Sequence, residues 1–217
     1  MNHDLAFLHT ADVHIASFQN IVDSIDPSIR VRHDVNSALL SDAIAQGMTI
    51  ELAGQIDQAM ELAADTGAKA VVCTCSTIGG VAEASLKNKS AAAMRIDRAM
   101  SDLAVKNADR ILVVAAVQST LEPTMALLRD SAATASRHPE ITMELVEGAW
   151  THFENNRQDE YFDCIAKHIR MKQDVYDCFI LAQASMAPVV RQFTSSDIRV
   201  LASPEPGVMS AIEKIRM

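Results

Sequence analysis

Short apolar runs that break into small polar residues recur along this chain, separated by segments with helical spacing. This alternation restricts the fold more than any other feature. The runs are Leu5-Ala6-Phe7-Leu8, Ala70-Val71-Val72-Cys73, residues 111–117 and Cys178-Phe179-Ile180-Leu181. Unbroken apolar runs rich in β-branched residues suit parallel strands covered on both faces. A β–α alternation implies a parallel sheet with helices on either side, an α/β fold.

The intervening segments fill in the pattern. Residues 30–35 alternate like an edge strand. Ser17 reads as the cap of a first helix. Leu39, Leu40, Ala43 and Ile44 mark a helical turn, and Leu52, Ile56, Ala59, Met60 and Ala63 stand at helical spacing up to the break at residues 65–68. Residues 93–97 and 141–146 read as strands, residues 100–106 as a helix, and Pro123 suits the first turn of a helix running to Ala135. Residues 150–171 read as mostly helical. Residues 199–202 read as a last strand and 206–216 as a closing helix.

Composition narrows the class of protein. With 19 basic against 28 acidic residues the net charge is −9, which argues against a nucleic-acid or anionic-membrane surface. No apolar run approaches a membrane span, and Met1-Asn2-His3-Asp4 is not a basic leader, so a cytoplasmic location is expected. The four cysteines, Cys73, Cys75, Cys164 and Cys178, form no disulfide framework or zinc-ligand spacing. No metal is expected.

The stretch from Ala70 to Gly80 is the most informative. A buried strand gives way to Thr74-Cys75-Ser76-Thr77 and the pair Gly79-Gly80, whose freedom suits a sharp turn before a helix. Cys75 is thereby placed at the carboxyl end of a strand, the edge where open α/β sheets bind ligands. The following helix offers a positive dipole end, and a thiol there ionises more readily than a free cysteine. The same order recurs later. Setting Gln183 opposite Cys75 aligns 71–73 with 179–181, Ser76 with Ala184 and Thr77 with Ser185, so each half offers one strand edge to a shared cleft.

Cys75-Ser76-Thr77 resembles the Cys-Asn-Thr signature of the aspartate/glutamate/hydantoin racemase superfamily. Residues 95–100, 119–124 and 181–186 fall where such proteins carry their characteristic segments, so the resemblance spans most of the chain. It implies two flavodoxin-like lobes related by a pseudo-twofold axis, with the active site between them. We expect residues 1–98 with 199–217 to form the first lobe and 99–198 the second. The resemblance further implies chemistry without cofactor, in which two thiols face the α-carbon of a small carboxylate from opposite sides. One removes a proton while the other delivers one. Cys75 fits the first thiol, with Ser76 and Thr77 as carboxylate holders, and Thr120 and Thr124 resemble substrate-binding threonines of the second lobe. A homodimer is the default assembly.

The departure is at the second thiol, where this chain has Gln183, a side chain that does not titrate. The resemblance therefore leaves three outcomes: a racemase or isomerase with another second base, a single-cysteine decarboxylase, or a binding protein without chemistry. In the single-cysteine decarboxylases of the superfamily the thiol comes from the second lobe, whereas here it comes from the first. The loop after the first strand supplies substitutes. His14 or Asp12 could orient Cys75 or act across the substrate, with Thr10, Gln183 and Ser185 as further binding residues. His9 reads as a solvated turn residue.

Overall fold

The computed structural model describes residues 3–195 and 197–217 and divides into two compact units, Met1–Arg98 with Pro204–Met217, and Ala99–Ser203. In the first unit, β1 (Leu5–His9), α1 (His14–Ile25), β2 (Val31–Val35), α2 (Ala38–Gln46), α3 (Ile50–Ala64), β3 (Ala70–Cys73), α4 (Ser76–Glu83) and β4 (Ala92–Arg95) follow in order. All four strands are parallel, in the spatial order β2-β1-β3-β4. The two central strands, β1 and β3, are buried along their length, which is why they read as unbroken apolar runs, while β2 at the edge keeps its alternation.

The second unit repeats the plan. After α5 (Arg98–Asn107) come β5 (Arg110–Ala115), α6 (Leu121–Thr134), β6 (Glu140–Leu145), α7 (Ala149–Glu154), α8 (Gln158–Arg170), β7 (Cys178–Leu181) and β8 (Val200–Ala202). Their spatial order is β6-β5-β7-β8, again all parallel. The chain then returns to the first unit as α9 (Pro204–Arg216), which packs on α1, β1, β3 and β4.

Five details differ from the sequence reading. The strand at 200–202 pairs with β7, so the return to the first unit begins at Pro204 and not at residue 199. Ser17 lies inside α1, which starts at His14 with Val13 at the cap position. Residues 150–171 hold two helices, because the Asn155-Asn156-Arg157 turn, with Asn156 at positive φ, interrupts the pattern. The break after β7 is a 3-10 helix, Ala184–Phe193, since Pro188 has no N–H for a regular α-helical ladder. Gly79 and Gly80 are not a turn but lie within α4, which starts directly after Cys75.

Each sheet is packed on apolar side chains. Ala6, Leu8, Val71 and Cys73 meet Leu52, Ile56 and Met60 of α3 and Ile78 and Ala82 of α4 in one fully buried cluster. In the second unit Leu112, Val114, Phe179 and Leu181 pack with Tyr161, Ile165 and Ile169 of α8. Among the described residues, no helix is long and apolar enough to cross a membrane.

Candidate active site

The parallel pairing of β1 with β3 sets Leu8 beside Cys73, so Thr10 and Cys75 each stand two residues beyond a paired position at one carboxyl edge. Cys75 is the cap residue of α4, extended at φ −105° and ψ 116°, and its side chain is half-buried against the first unit's core. Ser76 and Thr77 are buried in the first turn of the helix. Cys73 is fully buried and its Sγ points at the Cys75 carbonyl, 3.6 Å away. Burial pushes the Cys73 thiol far above its ordinary range, with the neighbouring Cys75 adding to the effect, so Cys73 stays protonated.

A buried ion pair supports this turn from below. Arg95, at the end of β4, holds Asp97 through Nε to Oδ1 at 2.6 Å and Nη2 to Oδ2 at 3.0 Å, and Nη2 also donates to the Ser76 carbonyl at 3.4 Å. Its guanidinium lies directly against Gly79. Arg98, the next cation, pairs with Glu83 of α4. Both ends of the 95–98 segment are therefore engaged in fixing α4.

The loop after β1 is divided in its exposure. Thr10 is buried, Asp12 is exposed, and His14 opens α1 half-buried with its ring edge-on to Phe18. Burial lowers the His14 pKa below the ordinary imidazole value, while Asp12 opposes that shift. His9 departs from the expectation of a solvated residue. It is fully buried, with Nδ1 2.9 Å from Thr74 Oγ1 and Nε2 2.8 Å from His33 Nδ1. It is the last residue of central strand β1, where it pairs with Val35 of β2.

In the second unit the matching edge is built from Gln183. Val114 pairs with Leu181, so Gln183 stands two residues past the central strand and caps the following helix, as Cys75 does in the first unit. Its Oε1 accepts from the Ala116 N–H at 2.8 Å, and its Nε2 donates to Thr120 Oγ1. Thr120 in turn donates to the Val117 carbonyl at 2.6 Å, so its hydroxyl closes its own turn and does not cap α6. Thr124 is buried, and its hydroxyl has no partner among the described residues. Ser185 shares a 3.0 Å hydrogen bond with the phenol of Tyr161, whose pKa burial pushes well above its ordinary value.

The structure thus gathers Thr10, Cys75, Ser76 and Thr77 at one edge, followed by the loop of Asp12 and His14. It gathers Thr120 and Gln183 at the corresponding edge of the second unit. Cys164 is half-buried on α8, and Cys178 sits at the opposite end of β7 from Gln183. Among the described residues no cluster of histidine, cysteine and carboxylate side chains is placed to hold a metal ion. A surface groove of about 390 Å³ beside Arg129, Arg137 and His138 includes none of the candidate residues. The sequence reading missed Thr74, His33 and the Arg95–Asp97 pair as supports of the edge. Their partners lie on other strands or across a turn, so no local pattern marks them.

Two four-stranded parallel sheets of identical order make up this chain, a fold that it shares with solved amino-acid racemases. The chain matches a glutamate racemase isoform from Bacillus anthracis over 99% of its own length and 82% of that protein, with a TM-score of 0.74 at 14% identity. An aspartate racemase from Picrophilus torridus matches with a TM-score of 0.71 at 14% identity, covering 100% of this chain and 95% of that one. An arylmalonate decarboxylase has the same fold, with a TM-score of 0.60 at 11% identity over 98% of this chain and 92% of that one. No family model matches the sequence, and no curated protein matches it.

Proposed function

We propose that this protein is a cofactor-independent enzyme of the racemase superfamily, acting at the α-carbon of a small carboxylate with Cys75 as the thiol acid and base. The observation that supports it most is the position of Cys75. It is a half-buried thiol capping a helix, at the carboxyl edge of a central strand, in a chain with a racemase fold. The dipole of α4 favours negative charge at its first turn, and with it a substrate carboxylate near Ser76 and Thr77.

Gln183 bears on the kind of reaction that suits this protein. Its amide braces Ala116 to Thr120 and carries no titratable proton, so the protein offers one thiol where a symmetric racemase needs two. Racemisation then requires His14 or Asp12 as the opposing acid. Decarboxylation of a malonate does not: loss of carbon dioxide leaves an enediolate, and a single thiol protonates one face of it. The decarboxylase reading is the second one we carry.

Incubation in deuterated water with amino acids, hydantoins and malonates separates the two. Deuterium at the α-carbon without loss of mass marks racemisation, and carbon dioxide release marks decarboxylation. Either activity should fall at least 100-fold in Cys75→Ala. Full turnover by that variant would overturn the proposal.

A further inference from the structure

The first unit contains a chain of hydrogen bonds, buried at its inner end and exposed at its outer one, that the candidate chemistry does not use. It runs from Thr74 Oγ1 to His9 Nδ1 at 2.9 Å, from His9 Nε2 to His33 Nδ1 at 2.8 Å, and from His33 Nε2 to Gln19 Oε1 at 3.1 Å. Gln19 Nε2 then donates to Asp23 Oδ1 at 2.7 Å on the exposed side of α1. The two imidazoles lie edge to edge and nearly coplanar, with centroids 5.1 Å apart and planes 14° from parallel, and the Phe7 ring lies beside both of them while Phe18 lies beside His9.

The direction of every bond follows from its outer end. Because Asp23 accepts from the Gln19 amide nitrogen, the Gln19 oxygen faces His33, and His33 must carry a proton on Nε2. A neutral His33 then has a lone pair on Nδ1, so His9 donates from Nε2 and accepts at Nδ1 from the Thr74 hydroxyl. A second arrangement satisfies the same heavy atoms. If His33 is an imidazolium, both of its nitrogens donate, His9 accepts at Nε2 and donates from Nδ1, and the Thr74 hydroxyl turns to the Leu8 carbonyl, 3.3 Å away. The two arrangements differ by one proton on His33 and one tautomer of His9, with no heavy atom moved.

We propose that Thr74, His9, His33 and Gln19 form a two-setting hydrogen-bond chain whose direction reverses when His33 takes up a proton, and that His9 and His33 are positioning residues for the strand ends bearing Thr10 and Cys75. His9 directly precedes Thr10 and Thr74 directly precedes Cys75, so the His9 to Thr74 bond ties together the two turns of the candidate site. The groups acting on His9 are His33 and Asp34 from β2 and His14 from α1, with Asp12 beside His14. Asp34 also acts on His33 and is itself held by Arg32. Burial keeps both rings neutral near pH 7, which places the resting chain in the first setting. The inference holds whichever reaction Cys75 performs.

The test is long-range proton–nitrogen correlation spectroscopy of the full chain labelled with nitrogen-15. At neutral pH both His9 and His33 should carry their proton on Nε2. As acid converts His33 to the imidazolium, His9 should change to the Nδ1–H tautomer in the same titration step. A Gln19→Glu variant, altered only at the half-buried outer end, should raise that step by about one pH unit and carry the His9 change with it. Alkylation of Cys75, read by mass spectrometry, should show an inflection that moves with the same variant. A His9 ring that keeps its tautomer while His33 titrates would overturn the chain. A Cys75 profile identical in both proteins would overturn the positioning role.

Discussion

Gly79 of α4 and Arg95 of β4 fit together only because residue 79 has no side chain: a Cβ there would lie 3.1 Å from Arg95 Nε and 3.2 Å from Cζ and Nη2. The guanidinium has no room to retreat, since Asp97 grips it in two places and Ser76 O holds its outer nitrogen. Gly79→Ala should therefore cost about 1–3 kcal/mol through overpacking, more than the ~1 kcal/mol that alanine gains in a helix. Gly80 is the internal control. Its Cβ would meet Arg95 Nη1 at 3.6 Å, an ordinary contact, so Gly80→Ala should be neutral or stabilising by up to ~1 kcal/mol. Urea unfolding of the two variants checks the contrast, and a Gly79→Ala protein as stable as Gly80→Ala would disprove the account.

The second close approach seats the returning helix. A Cβ on Gly207 of α9 would lie 2.2 Å from the Ile96 carbonyl oxygen and 2.5 Å from Ile96 Cδ1. Backbone cannot yield as a flexible side chain does, so Gly207→Ala should lift α9 from the first sheet and cost more than about 3 kcal/mol. Val208, Ala211 and Ile212 are buried in the seated helix and would be exposed with it. Faster limited proteolysis after residue 203, together with a lowered unfolding midpoint, is the expected result. An unchanged protease pattern would contradict it.

How much of this was legible in the sequence depends on the range of the interactions. The central strands of both sheets were legible because they are buried on both faces, and β2 at an edge through its alternation, while the match of 71–73 with 179–181 pointed to a repeated unit. The placement of Cys75 just past the carboxyl end of β3 was legible because a buried apolar run shows where its strand ends. The position of residues 200–202 was not, since a three-residue strand gives no local sign of which sheet it joins. His9 was misread because a histidine at a strand end looks solvated until its partners, 24 and 65 residues away, are known. Gly79 and Gly80 were misread as a turn because a glycine demanded by a distant arginine looks the same as one demanded by the backbone.

Gln183 shows why replacing one residue would not restore a second thiol. Its amide joins the Ala116 N–H to the Thr120 hydroxyl, and both of those groups sit at the edge where a substrate-facing residue would stand. Gln183→Ala should cost about 1–3 kcal/mol, because it leaves a donor unsatisfied in a partly buried turn. Gln183→Cys should lose a similar amount, as a thiol is too short and too weak an acceptor to bridge the same gap. The Cys variant should gain no racemase activity while Thr120 and Ala116 are left without their brace. Measurable α-proton exchange that appears only in Gln183→Cys would show instead that the edge tolerates the change.

Acid should destabilise the first unit in two windows, both with the same sign. Burial, reinforced by His33 and His14, lowers the His9 pKa to about 3, whereas an unfolded chain takes up that proton near the ordinary value of 6.5. Between those values the unfolded state binds the extra proton, so stability falls as pH drops, by about 1.4 kcal/mol per pH unit for one proton. Asp4 adds to this below the ordinary carboxylate value of 3.8. Its hydrogen bonds from Arg30 hold its pKa at about 2, so the stability it contributes is present at higher pH and lost as pH falls between those two values. Unfolding midpoints measured from pH 7 to pH 4 should therefore decline steadily. His9→Gln, which removes the titrating ring but keeps a side chain able to bond Thr74, should be less stable at pH 7 yet decline less steeply. A wild-type midpoint that stays flat from pH 7 to pH 4 would show that His9 is not held neutral by the fold.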